Sequence, residues 1–171
     1  MTETQDLEAI DSEEHSEAAA VPRWALVISW LLTFVGLGIS TYLTIAHYTS
    51  TSVLACSDTG VVNCAKVTTS AQSYFLGMPV AVLGLCFYAG MILLCSPWAW
   101  RSRQPVIHWL RAAGVVSGIG FVLWLVAAEL LIIGNICLWC TGVHLVTFAL
   151  LIVVLPQIPV ALARARAARA A

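Results

Sequence analysis

Glu129-Leu130-Leu131-Ile132-Ile133-Gly134-Asn135-Ile136-Cys137-Leu138-Trp139-Cys140 is the stretch that decides the fold of this chain. It closes one apolar run, breaks at Gly134 and Asn135, and opens a second run with a C-x-x-C pair. Glycine and asparagine tolerate the left-handed turn that ends a helix, so the break reads as a tight hairpin between two helices. The flanking runs, roughly Ala112 to Ile133 and Ile136 to Leu155, are each near the ~20 residues that span a hydrocarbon core. Working outward, Trp24 to Tyr48 and the shorter Pro79 to Cys95 are two more such runs. The expected fold is all-α and integral to the membrane: a four-transmembrane-helix bundle with a cysteine-bearing outer loop, residues 49–77, between helices 1 and 2.

Composition supports that class. The 171 residues are 60% hydrophobic and 10% charged, with a mean hydropathy of +0.91, which excludes an ordinary soluble domain. The net charge of -1 hides a strong asymmetry, because seven of the nine acids lie before Ala18. Residues 1–22 are therefore expected to form a disordered acidic tail. The tail lacks the basic start of a secretory signal, and the run after it is too long for one. Val53-Leu54-Ala55-Cys56 loosely matches a lipoprotein cleavage box, but the polar stretch from His47 to Ser52 interrupts it, so the first run reads as a retained span.

The basic residues give an orientation. Arg23 precedes the first run, Arg101, Arg103 and Arg111 fall between the second and third, and Arg164, Arg166 and Arg169 follow the fourth. By the positive-inside rule these regions are cytoplasmic, both termini are inside, and the redox residues face outward. Trp24, Trp98, Trp100 and Trp109 are expected at the inner interface, with Tyr48, Tyr74 and Trp139 at the outer one. His47 and His108 are expected near the outer and inner interfaces. Residues 161–171 read as a basic cytoplasmic tail lying on anionic lipid, and so few charges exclude nucleic-acid binding. The membrane domain is expected over residues 23–160.

Four cysteines on the outer side carry the chemistry. Cys137 and Cys140 lie at the first turn of a helix, where free amide donors and the dipole stabilise a thiolate and the spacing allows a disulfide. Cys56 and Cys64 lie in a loop long enough to swing between an external partner and the embedded pair, and read as a shuttle for thiol exchange. Four cysteines permit three pairings, and the spacing leaves the resting pattern open. Zinc held by the same four thiols is disfavoured by an oxidising outer face and the seven-residue gap, so no metal is expected. Cys86 and Cys95, in and below the second run, read as small hydrophobes.

Three further polar residues are candidates near the cysteines. Cys137, Cys140 and His144 fall on one helical stripe, which places the imidazole one turn deeper than Cys140. Glu129 is the only acid inside an apolar run; it is a candidate for proton delivery, or else reaches up to the headgroups. Ser70 follows Cys64 by six residues and either faces the site or caps a short loop helix.

Cys56-x7-Cys64, Ser70, Gly84-Leu85-Cys86-Phe87-Tyr88 and the stretch from Glu129 to Cys140 together resemble the vitamin K epoxide reductase family in its bacterial form, over about Trp24 to Leu155. The resemblance implies a relay in the bacterial inner membrane. A separate extracytoplasmic thioredoxin-like (DsbA-like) protein gives electrons to the loop pair, the loop pair reduces Cys137–Cys140, and that pair reduces a lipid quinone, menaquinone or ubiquinone. It implies that Cys140 is the thiolate facing the quinone, that Cys137 exchanges with the loop, that Cys64 attacks it and that Cys56 meets the partner. It also brings Ser70, Val80, Glu129 and His144 to the quinone. His144 and Val80 stand where the mammalian enzymes carry tyrosine and asparagine, so a quinone is the expected substrate rather than an epoxide. The alternatives are a vitamin K epoxide or quinone reductase fed by another reductant, and a structural membrane protein whose outer disulfides are static.

Overall fold

The computed structural model describes residues 21–50, 53–56 and 59–170; most of the acidic segment expected to be disordered, residues 1–20, lies outside them. Helix α1 (Arg23–Tyr48) leads into a loop that holds the short helix α2 (Cys64–Thr68), a 3-10 turn (Ala71–Ser73) and a small hairpin of β1 (Tyr74–Phe75) and β2 (Met78–Pro79). In the hairpin Tyr74 pairs with Pro79 and Phe75 with Met78, antiparallel. Next come α3 (Val80–Leu94), α4 (Pro97–Trp100), α5 (Pro105–Ala127), a π-helical turn (Ala128–Ile133), α6 (Leu138–Val154), a 3-10 turn (Leu155–Gln157) and α7 (Ile158–Ala170).

Local chemistry sets these boundaries. Pro97 and Pro105 sit in the first turns of α4 and α5, where no intrahelical bond to their nitrogen is needed. Ser96 caps α4 by accepting a hydrogen bond from the Ala99 amide at 3.2 Å. Gly134 ends the π-helical turn at φ +66°, the left-handed conformation that the Gly-Asn break calls for.

Arg23–Tyr48, Pro105–Ile133 and Leu138–Arg169 are each long and apolar enough to cross a membrane. α3 is equally apolar but has 15 residues, about 22 Å of helix against a core of about 30 Å. The chain is a multi-pass membrane protein. α1 packs against α3 and α6, while α5 packs against α6 and α7. At the centre a side chain on Gly36 would overlap the Tyr88 ring, so glycine is what lets α1 and α3 meet. The Tyr88 hydroxyl donates to the Val143 carbonyl at 3.2 Å and shares a hydrogen bond with Thr147 Oγ1 at 2.8 Å, which ties α3 to α6.

Two buried clusters occupy opposite ends of the bundle. At the cysteine end, Leu43, Ala46, Leu54, Cys64, Val67 and Cys137 pack together. At the arginine end, the core includes Ala25, Met91, Cys95, Trp100, Leu150 and Val154. Arg111 is fully buried there, with Nε and Nη2 donating to the Leu94 carbonyl at 2.8 and 2.6 Å and the guanidinium 3.6 Å from the Trp100 ring centre. His108 is buried against Arg111 Nη1 at 2.9 Å and the Ser102 carbonyl at 3.1 Å.

Several expectations are corrected at the arginine end. His108 and Trp100 are packed inside rather than facing headgroups, because each has a protein partner for its polar atoms. Residues 161–170 belong to α7, which packs on the protein as well: it buries Ala161, Leu162 and Ala165, and Arg169 bonds the Gln104 side chain. Val21, placed with the acidic tail by composition, is buried in the same core. Trp24, Trp98 and Trp109 are exposed on the surface.

Candidate active site

The loop is stitched to the α5–α6 hairpin immediately before the C-x-x-C. The Ile136 amide donates to the Val61 carbonyl at 2.9 Å and the Asn63 amide donates to the Ile136 carbonyl at 3.1 Å, a one-residue parallel bridge. Asn135 reinforces it: Nδ2 donates to the Gly60 carbonyl at 2.7 Å, while Oδ1 accepts from Lys66 Nζ. Asn63 caps α2 by accepting from the Lys66 amide at 2.8 Å. The segment from Gly60 to Cys64 is therefore seated against the C-x-x-C by backbone and side-chain hydrogen bonds.

That seat brings the two cysteine pairs together. Cys56 and Cys64 form a disulfide with their Cα atoms 6.1 Å apart, while Cys137 and Cys140 are free thiols. Cys64, 2% exposed, and Cys137, 0% exposed, belong to one buried cluster, with Cys56 and Cys140 packed at its edge. Cys56 is only half-buried. Its neighbour Ala55 is held by the Tyr42 hydroxyl, which accepts from the Ala55 amide at 3.0 Å, and by Trp139 Nε1, which donates to the Ala55 carbonyl at 3.2 Å. Tyr42 and Trp139 also meet edge to face at 4.6 Å.

The two thiols of the C-x-x-C differ. Cys137 is the N-cap of α6, and its Sγ accepts a hydrogen bond from the Cys140 amide at 3.4 Å. A first-turn amide donor thus serves Cys137, because the N-cap side chain points back at the third residue of its own helix.

Cys140 borders a cavity of about 440 Å³ lined by α1, α3, α5, α6 and the loop from α2 to the β-hairpin. Ser70, Val80, Glu129 and His144 all line it as well, whereas Cys56, Cys64 and Cys137 do not. His144 is 8% exposed and has no hydrogen-bond partner among the described residues, so its ring nitrogens are open to a ligand. Ser70 stands at the N-cap of the 3-10 turn without capping it; its hydroxyl donates to the Val67 carbonyl at 2.7 Å and keeps only acceptor capacity for the cavity. Val80 contributes apolar wall at the start of α3.

Glu129 is 6% exposed in the π-helical turn, and its carboxylate faces the Cys137 amide and the Cys140 thiol. Sequence reasoning also missed the aromatic wall: Phe75 and Phe121 line the cavity, their rings 5.4 Å apart, and Trp124 stands 5.8 Å from Phe75. Neither ring lies near a cysteine in sequence, and an aromatic in an apolar run carries no signal of its own. His47, expected to be interfacial, lines the cavity too, and its Nε2 pairs with the Tyr74 hydroxyl at 3.1 Å, tying the hairpin to α1.

Helices able to cross a membrane, a loop disulfide buried beside a C-x-x-C, and an apolar cavity at one of its thiols define a multi-pass membrane oxidoreductase. The sequence profile of the Vitamin K epoxide reductase family matches residues 27–155, and the chain belongs to that family. No curated protein matches the chain. Among the described residues no cluster of histidine, cysteine and acid suited to a metal ion occurs.

Proposed function

We propose that the protein re-oxidises an extracytoplasmic thioredoxin-fold dithiol and passes the electrons to a lipid quinone, menaquinone or ubiquinone, in support of disulfide formation. The observation that carries this reading is the division of the C-x-x-C: Cys137 is buried with Cys64, while Cys140 borders the cavity. An electron pair entering at one sulfur can therefore leave at the other.

In this relay the partner's thiolate attacks the half-buried Cys56 of the loop disulfide and releases Cys64 as a thiolate. The partner's second thiolate then resolves that mixed disulfide. Cys64 attacks Cys137 of the Cys137–Cys140 disulfide, and Cys56 completes the exchange, so the loop disulfide re-forms and the C-x-x-C is left as a dithiol. A Cys56–Cys64 disulfide beside two free thiols at Cys137 and Cys140 is compatible with this step.

A quinone is the ligand whose chemistry suits the cavity. Its ring and isoprenoid tail match the walls of Phe75, Phe121 and Val80, and one carbonyl accepts a hydrogen bond from His144. The quinone takes two electrons as Cys137 and Cys140 close to a disulfide. Four membrane passes with both termini cytoplasmic, α3 being the short one, put the cysteine end on the outer face of a bacterial inner membrane, where a secreted partner reaches Cys56.

The test is quinone reduction by the full chain in detergent, followed by absorbance, with a reduced thioredoxin-fold dithiol as donor. Wild type reduces a short-chain quinone and Cys140→Ala does not. Absence of reduction by folded wild type with both menaquinone and ubiquinone analogues would favour static outer disulfides.

A further inference from the structure

Glu129 is the one acid among the described residues, and it is buried in an apolar region with no ion pair among them. An uncompensated carboxylate in that setting is costly to keep, which makes a functional role the default expectation. Its position depends on the π-helical turn from Ala128 to Ile133, a wide turn often found at functional sites. Glu129 lines the same cavity as Cys140 and faces the Cys140 thiol and the Cys137 amide.

The first-turn amide of Cys140 donates to Cys137 Sγ. Yet Cys140 is the sulfur that borders the cavity, and a thiol is a poor nucleophile until it loses its proton. We propose that Glu129 is the general base for Cys140 and the carrier of protons from the C-x-x-C to the quinone. This rests on the quinone reading above and assigns its proton path.

The steps balance within the site. The Glu129 carboxylate takes the Cys140 proton, Cys140 Sγ bonds to a quinone ring carbon, and the carboxylic acid gives that proton to the ring's oxygen. The restored carboxylate then takes the Cys137 proton. Cys137 Sγ attacks Cys140 Sγ, the S–S bond forms, the carbon–sulfur bond breaks and its electron pair stays on the ring. Glu129 delivers the second proton, and the products are a disulfide, a quinol and the original carboxylate.

The test compares wild type, Glu129→Gln and Glu129→Asp in full-length protein, with quinone reduction measured across pH. The other titratable groups lining the cavity are Cys140 at the start of α6, His144 a turn deeper, His47 at the end of α1 and Tyr88 on α3, with Cys137 beside Cys140 but outside the lining. Glutamine keeps the shape and removes the base, so quinone reduction is expected to fall about a hundredfold at neutral pH, within the usual range for losing a general base. The loss should shrink as pH rises and solvent base deprotonates Cys140, and aspartate should recover part of the rate.

A Glu129→Gln rate within threefold of wild type, with an unchanged pH profile, overturns the proposal while leaving the quinone reading intact. A wild type that reduces no quinone overturns both. If Glu129→Gln does not fold, Glu129→Asp decides: a wild-type pH profile with a uniformly lowered rate makes Glu129 structural, and a profile displaced in pH supports the base.

Discussion

The two ends of the bundle bury polar side chains in different ways. At the arginine end Arg111, His108 and Trp100 are satisfied entirely by the protein: two bonds from Arg111 to the Leu94 carbonyl, one to His108, a ring beneath the guanidinium, and Trp100 Nε1 donating to Ser29 Oγ at 3.3 Å. At the cysteine end His144 has no protein hydrogen bond among the described residues, Ser70 keeps a free acceptor, and Glu129 faces reactive thiols. Burial is similar, but the second set borders the cavity at Cys140, which the first set does not line. A buried polar group whose partners are all internal holds the fold, whereas one that opens on a cavity is available to a ligand.

That contrast predicts a clean separation of phenotypes. Arg111→Met should have the largest effect on stability, because it leaves the Leu94 carbonyl and His108 without their partner, at roughly 1–3 kcal/mol per orphaned buried group. Thermal unfolding in detergent measures it, and quinone reduction per folded molecule should stay at the wild-type level. A folded variant with a lost rate would erase the distinction between the ends.

Gly36→Ala sharpens the comparison from the middle of the bundle. Its new methyl meets the Tyr88 ring and should cost about 1–3 kcal/mol as overpacking, whereas Gly38→Ala, with nothing within 4 Å, should be near neutral. Equal unfolding temperatures for the two variants would refute the close α1–α3 contact.

His144→Phe should leave stability and thiol exchange unchanged and weaken the quinone. One lost hydrogen bond of about 1 kcal/mol raises the KM for quinone roughly fivefold. An unchanged KM would remove His144 from the site.

Asn135→Ala should have the smallest effect, a slowing of exchange between the loop pair and the C-x-x-C by a few fold, seen by thiol trapping. Reduction of quinone with a small dithiol as donor, which bypasses the loop, should not change. A slowing of both would mean that Asn135 supports the cavity rather than the seat of the loop.

The parts of this molecule that were legible in the sequence are those set by composition and single-residue chemistry. The hairpin at Gly134 and Asn135 was readable because only those two residues interrupt the apolar run and both suit a left-handed turn. The stripe of Cys137, Cys140 and His144 follows from helical spacing, and the structure puts Cys140 and His144 on one cavity. The π-helical turn was not readable, because a run of apolar residues carries no mark of a shift from one helical register to another. The anchored loop was hidden for a similar reason: the bridge between Val62 and Ile136 is made by backbone, which any side chain permits. Arg111 counted as a charge for orientation, and charge counting does not distinguish a solvated arginine from one buried against a carbonyl and an indole.

The order of the cysteines is the central claim, and a pair of double variants tests it most directly. Cys56→Ala with Cys140→Ala leaves Cys64 and Cys137 as the two thiols of the site, and Cys64→Ala with Cys137→Ala leaves Cys56 and Cys140. After mild oxidation of the full-length proteins, peptide mass spectrometry should find a Cys64–Cys137 disulfide in high yield in the first and little or no Cys56–Cys140 disulfide in the second. A Cys56–Cys140 bond formed as readily as Cys64–Cys137 would contradict the account, because electrons would then have no single route from the loop to the cavity.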